Sequence, residues 1–284
     1  MYTLIFCHAN DGVAHALYDA LFQKKERKLR LVTDAALSFA SWLHEADSNG
    51  VFFTRIRLHD GFIIEPGMIG ALVNRIAYFP MPHFIEQTDR QYAEMEMVAL
   101  YTSFLYSIKD KVIDGMPVRH INTSDNTLYY YAHAVKAGID VLDNQFTSSP
   151  RWQHPKKMTA LVPEKKENLL WHKKSPSLVW ENKPVLYYEP FSTLVKVEVV
   201  ADQFFYGDKM VNAKKAGRVS IKFSGQFQQK IKSFSKLTGR TVYELTMALA
   251  GSKYKLYAVN TRPLLLSAAA IEAFAALIIK KIKN

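Results

Sequence analysis

The sequence predicts an α+β / α/β protein, with a small N-terminal α/β domain followed by a larger core, and three observations carry that prediction. Short apolar strands alternate with short helices over the first 80 or so residues. A long amphipathic helix then spans 88–108. Beyond it lie two hairpin-like strand pairs, 194–200 with 203–206 and 242–248 with 254–259. The last of these strands runs into Asn260, Thr261, Arg262 and Pro263, and so presents a polar group at a strand end. The expected division is 1–115, domain plus connecting helix, and 116–284, a basic core with an irregular segment at 143–184.

Residues 3–6 read as the first strand. Residues 15–23 suit a helix with Ala16, Leu17, Ala20 and Leu21 as its apolar stripe. Residues 29–33 suit a second strand, and Asp34 opens a helix that reaches Trp42. Asn49-Gly50 is a turn signal before a strand at 51–58 with Phe53 and Arg55 on one face. His59-Asp60-Gly61 turns the chain back into 62–64 as a hairpin, and 71–73 is a short strand ending in Asn74 and Arg75. Thr88 caps the long helix with Gln91 as its box partner. Met97, Tyr101, Phe104 and Ile108 mark its apolar face, which Tyr92, Met95 and Ala99 widen, and Glu96 lies near the edge of that surface. Val112-Ile113 is a short extended piece. Residues 127–136 form a helix ended by Gly138, and 139–142 are extended.

Segment 143–184 is broken by Pro150, Pro155, Pro163, Pro176 and Pro184 and punctuated by lysine pairs at 156–157, 165–166 and 173–174. Short strands at 158–162, 169–171 and 178–180 fit between the breaks, and 184–188 is a firmer one. In 194–200, Val195, Val197 and Val199 alternate with Lys196 and Glu198. A helix at 231–237 stops at Gly239, and Ser267 caps the last helix, which ends at Lys280-Lys281.

Size and charge bound the function. The 284 residues are 49% apolar, enough for one large domain or two to three smaller ones with their own cores. No secretory pattern opens the sequence, and no apolar run reaches the roughly 18 residues of a membrane span. Cys7 is the only cysteine, which excludes an intrachain disulfide or a thiolate metal cluster and suits a reducing, cytoplasmic setting. The net charge of +11 is uneven: 1–150 carry 13 Lys/Arg against 17 Asp/Glu, and 151–284 carry 24 against 9. A basic second half attracts phosphates, acidic peptides, nucleic acid or anionic membranes, and a merely solvated lysine face gives the same count.

Four stretches together resemble a known family. They are Leu72-Val73-Asn74-Arg75; Asp89 to Glu96 continuing through Phe104-Leu105-Tyr106-Ser107; Lys136-Ala137-Gly138-Ile139 with Thr147-Ser148-Ser149; and 195–206 followed by Ala258-Val259-Asn260-Thr261-Arg262-Pro263. Their order resembles the ATP-grasp fold of peptide- and ribosomal-protein-modifying carboxylate–amine ligases. The resemblance implies a pre-ATP-grasp-like first domain and a reduced ATP-grasp-like core. It also implies ATP held between two lobes, and Mg²⁺-assisted activation of a carboxylate as an acyl phosphate for attack by an amine. Carboxylates and a side-chain carbonyl would then gather around the metal, with Lys, Arg and backbone N–H groups at the phosphates.

This sequence departs from that pattern. The family's acidic residue two before the metal-binding Asn is Ala258 here, and its strand Asp is matched by Thr246. Asn260 is the surviving ligand, with Glu244 as a candidate replacement on the same strand face as Thr246. The phosphate loop should be glycine-rich, yet 144–206 hold no glycine. Lys173 or Lys174 stands in for the nucleotide lysine, and Glu189 for the hinge carboxylate.

Arg55, Arg57 and Arg75, near strand ends, suit a peptide carboxylate through their planar forks, and equally suit solvated strand positions. Cys7-His8 with His15 reads as a buried strand end, since adjacency fixes no catalytic base. His120, His133, His154 and His172 lack metal-ligand spacing. Asn122, Ser124, Asp125 and Asn126 form a polar loop before a helix. Trp152, Lys156, Lys157, Trp171, Lys173, Lys174 and Trp180 interleave aromatics with bases, as a nucleic-acid or acidic-peptide surface would.

The leading expectation is therefore a degenerate ATP-grasp-like protein that binds a peptide or protein partner, with an intact ligase encoded elsewhere as one candidate, and no cofactor. One alternative is an active ATP-dependent ligase with a rearranged site, using ATP and Mg²⁺. Another is a basic nucleic-acid-binding protein.

Overall fold

A computed structural model describes residues 1–48, 52–76, 85–114, 127–147, 159–162, 172–173, 185–191, 193–201, 203–211, 215–217 and 224–283. The Asn49-Gly50 turn, the 122–126 loop, the strands expected at 169–171 and 178–180, Lys174, and Trp152, Trp171 and Trp180 lie outside them.

The first unit is built on a parallel sheet. Strands β1 (Tyr2–Cys7), β2 (Leu29–Thr33), β6 (Ile69–Asn74) and β7 (Val112–Ile113) lie in the order β2-β1-β6-β7, with all neighbours parallel. Helix α1 (Gly12–Gln23) begins earlier than its apolar stripe suggested, because the Asp11 side chain accepts the Ala14 N–H. Helix α2 (Asp34–Ser38) is capped by Thr33 and ends well before Trp42. Trp42 instead lies in β3 (Ser41–Ala46), which pairs with β4 (Phe52–Arg57) and then β5 (Ile63–Ile64) in a separate antiparallel sheet. Tertiary burial overrode helix periodicity there: the Trp42 indole donates to the Leu37 carbonyl and packs edge-on against Tyr101 and Phe104.

Those two aromatics belong to α3 (Gln87–Ser107). Its predicted cap is corrected: Thr88 lies inside the helix, and Glu86 occupies the cap position without a side-chain bond. The apolar face is also narrower than expected. Tyr101, Phe104 and Leu105 are buried, while Tyr92 and Met95 are 68% and 71% exposed. A sheet face covers one stripe of a helix, and the other stripe is left to solvent.

The second unit contains α4 (Thr127–Lys136), ended by Gly138 at φ 77°. A small sheet of order β10-β9-β11-β8 follows, from β8 (Asn144–Thr147), β9 (Thr159–Val162), β10 (His172–Lys173) and β11 (Val185–Tyr188). The larger sheet has the order β14-β13-β12-β15-β16 and is antiparallel throughout. Its strands are β12 (Thr193–Val200), β13 (Gln203–Val211), β14 (Lys215–Gly217), β15 (Val242–Ala250) and β16 (Lys253–Asn260). Helix α5 (Gly225–Thr238) starts at a Ser224 cap and ends at Gly239, φ 66°. Its polar first turns hid that start from an apolar-periodicity reading. One sheet face packs Val197, Val199, Tyr243, Leu245 and Met247 against Ala134, Ile231 and Phe234. The opposite face carries Lys196, Glu198, Glu244, Thr246 and Asn260, with the apolar pair Val200 and Val242 at one end.

The last helix, α6 (Ala268–Lys283), is capped by Ser267 and returns to the first sheet. Phe274, Ala275 and Ile278 share a core with Ile5, Leu17, Leu21 and Ala71, together with Val200 and Val242 of the large sheet. No described helix is long and apolar enough to cross a membrane.

A second link between the units is Asp114, at the end of β7 with φ 77°. Its Oδ1 accepts the backbone N–H groups of Thr241 (2.8 Å) and Val242 (2.7 Å), and Arg240 donates to its carbonyl at 2.9 Å. Asp114→Ala should destabilise the protein by about 3 kcal/mol in urea unfolding, since it leaves two buried N–H groups without their acceptor and removes the carboxylate charge beside a buried guanidinium. Asp114→Asn, which retains Oδ1 and tolerates the positive φ, should cost clearly less.

Candidate functional site

The polar face of the large sheet collects the charged residues. In register, Glu198 on β12 lies opposite Glu244 on β15, which lies opposite Asn260 on β16. The next row is Lys196, Thr246 and Ala258. Directly paired residues share a sheet face, so the six side chains form a two-row patch across three strands. Glu198 and Glu244 are 7% and 5% exposed.

Each oxygen-bearing side chain in the Glu198–Glu244–Asn260 row has an intramolecular partner. Lys196 Nζ reaches both Glu244 oxygens, at 3.0 and 3.1 Å. Glu198 accepts the Ser267 N–H at 3.0 and 3.1 Å and the Ser267 hydroxyl at 2.6 Å, at the N-terminus of α6. Asn260 Oδ1 accepts the Arg262 N–H at 2.9 Å, a local turn that shapes the exit from β16. Burial pushes the Glu244 carboxyl above its ordinary value; Lys196 pulls it down and Glu198 pushes it up.

The other candidates are dispersed. Glu189 meets Lys255 Nζ at 2.5 Å and the Asp143 N–H at 3.0 Å. Desolvation pushes its carboxyl up, but the Lys255 hydrogen bond, the Asp143 N–H and the Lys255 charge prevail and hold it below the ordinary range. Lys173 lies on β10. Arg55 pairs with Glu65 on the small antiparallel sheet, and Arg57 is exposed beside it on β4. Neither is brought to the polar face by any described contact. Arg75 is not a solvated strand residue: it is buried, its Nε donates to Asp11 at 2.7 Å, and its Nη2 donates to the Pro263 carbonyl at 2.9 Å. It ties the end of β6 to the turn after Asn260. Among the described residues no group of three or more His, Cys, Asp or Glu is arranged to hold a metal.

Sequence reasoning missed Lys196 and Glu198 as members of the site. Their signal was the alternation along β12, where two charges face away from three core valines. The register that sets them beside Glu244 is not written in either strand alone.

No family model matches the sequence, and no curated protein does. Solved structures match over nearly their whole lengths. The macrocyclase MdnB from Microcystis aeruginosa MRC superposes with TM-score 0.75 at 13% identity, covering 98% of this chain and 99% of that one. The macrocyclase MdnC, bound with precursor peptide MdnA, gives 0.73 at 11%, covering 99% and 100%. A Chryseobacterium gregarium RiPP-associated ATP-grasp ligase, in complex with ADP and a leader and core peptide, gives 0.70 at 12%, covering 99% and 97%. The fold is ATP-grasp-like. Within that ATP-grasp-like fold, the polar face of β12, β15 and β16 carries the Asn260 for which the sequence resemblance implied a metal role, with Glu244 directly across from it.

The raised Glu244 carboxyl gives a sign to its pH dependence. A carboxyl raised in the folded state favours folding in acid, and that contribution is lost as pH rises from the ordinary glutamate value of 4.5 through the raised one. Glu244→Gln should therefore gain stability relative to the native chain as pH rises through that window, by urea unfolding at a series of pH values. A gap that does not change with pH would contradict it.

Proposed function

We propose that this chain is an ATP-grasp-like protein that binds a peptide or protein partner and has little or no ligase chemistry of its own. The observation that carries the reading is the partnering of the polar face. Octahedral Mg²⁺ between carboxylates and phosphates needs oxygens free to turn toward it. Here both Glu244 oxygens hold Lys196, both Glu198 oxygens hold Ser267, and the row beyond them offers a hydroxyl at Thr246 and a methyl at Ala258. This donor set is a poor fit to Mg²⁺-bound ATP. The absence of glycine from 144–206 supports the same reading, because close backbone approach to phosphate favours glycine.

A peptide partner is supported by the superposed structures, two of which hold precursor, leader or core peptides. An intact ligase for which this chain is accessory is the second kind of partner that the reading admits. One observation favours the alternative of an active ligase with a rearranged site: Glu244 lies directly opposite Asn260, so displacing Lys196 would give that pair an unpartnered carboxylate.

Calorimetric titration with ATP, with and without Mg²⁺, separates the two. No Mg²⁺-dependent heat is expected up to about 1 mM nucleotide, where even binding worth about 4 kcal/mol would register. Micromolar affinity that requires Mg²⁺ and disappears with Asn260→Ala would establish the active ligase instead.

A further inference from the structure

The turn that joins α1 to β2 presents cations. Helix α1 ends in a doubly bonded turn: the Lys25 N–H donates to the Phe22 carbonyl at 3.0 Å, and the Glu26 N–H donates to the Leu21 carbonyl at 3.1 Å. That geometry puts Lys25 at φ 67°, the left-handed position that glycine ordinarily fills. Backbone strain of this kind persists where the side chain offers something in return. The one acid between Lys24 and Lys28 is used on the turn itself, since Glu26 Oε1 accepts the Lys28 N–H at 3.2 Å.

Arg27 is held in place for a carboxylate. Its guanidinium lies over the Phe22 ring, 5.4 Å from the centroid. A restrained guanidinium offers its planar fork with less freedom to lose on binding. Lys28 is anchored beside it through its carbonyl, which accepts the Thr3 N–H at 2.8 Å. The end of α6 also approaches the start of β1: a Cβ on Gly70 would meet Met1 at 3.1 Å and Ile282 at 3.9 Å. Lys24 is paired with Glu272 at 2.6 Å. Lys25, Arg27, Lys28, Lys280, Lys281 and Lys283 are exposed, and none of them forms an ion pair among the described residues.

We infer that this surface binds an acidic peptide segment, with one carboxylate on the Arg27 fork and others on Lys25, Lys28 and the lysines that end α6. The cations come from two elements, so a single small anion meets only part of the set. An extended chain places alternate side chains about 7 Å apart along one side and reaches more of them. Nucleic acid is disfavoured because Phe22, the exposed aromatic of the turn, already lies under Arg27 and leaves no ring for a base. The same contact keeps that ring from serving as an anchor in a lipid layer. The inference names a surface separate from β12, β15 and β16, and it stands whichever way the ATP titration falls.

Fluorescence anisotropy of a labelled peptide of about eight residues, alternating Glu and Ser, should give a dissociation constant on the order of 50 μM at low ionic strength, weakening about tenfold by about 0.3 M salt. Arg27→Glu and Lys28→Glu should each weaken it about tenfold, and Arg27→Lys, which keeps the charge but loses the fork, about threefold. Lys25→Gly separates binding from folding: glycine suits φ 67°, so the urea midpoint should not fall while affinity drops about threefold. A peptide that does not bind, or that binds each variant as tightly as the native chain, would overturn the inference. Tighter binding of an oligothymidylate of equal charge, or of vesicles containing phosphatidylserine, with the same dependence on Arg27 and Lys28, would overturn it as well.

Discussion

Two buried glutamates side by side on neighbouring strands set the problem that this structure solves. Glu198 and Glu244 occupy directly opposed positions on β12 and β15, both nearly excluded from water. Like charges so placed repel, and each would be costly to bury alone. The fold answers them separately. Lys196 supplies an ammonium to Glu244 from the neighbouring row, and the start of α6 supplies N–H and hydroxyl donors to Glu198. Because α6 then packs on α1 and the parallel sheet, the neutralisation of Glu198 also fixes how the first unit meets the second.

Two further contacts reinforce that junction. Asp114 reaches from the end of β7 to the backbone at the start of β15, and Arg75 reaches from the end of β6 to the carbonyl of Pro263. Both start at the C-terminal ends of parallel strands, where an open α/β sheet ordinarily offers its ligand crevice. Here one strand-end group is spent on the backbone of the large sheet and the other on the turn that follows Asn260. The polar face is thus held in register with the first unit by buried hydrogen bonds as well as by the apolar core.

Local patterns carried much of this architecture, and long-range register carried the rest. The β12 alternation, the hairpin around Gly251, the Gly138 and Gly239 stops and the Ser267 cap are all written within a few residues, and each is found as read. Trp42 failed because its apolar neighbours fit either a helix or a strand, and only the aromatics of α3 decide between them. Thr88 failed because a capping box also occurs within an acidic first turn. Arg75 could not be distinguished from Arg55 and Arg57 by sequence: all three sit in or just after β-strands, and what separates them is a carbonyl 188 residues away. Lys196 and Glu198 were visible as charges but not as neighbours of Glu244.

The partnered face also explains how the fold holds two carboxylates buried side by side. A lysine on a neighbouring strand is a tethered counter-ion, present at high effective concentration and released by no change in solution metal. It keeps Glu244 neutralised whether or not anything is bound, which a dissociable cation cannot do. Asn260 behaves similarly, since its carbonyl oxygen closes the turn to Arg262 and thereby positions Pro263 for Arg75. Side chains with such local structural work are retained by folding stability alone. The place of Asn260 at the end of β16 is therefore accounted for by the turn it closes, which is a structural role in its own right.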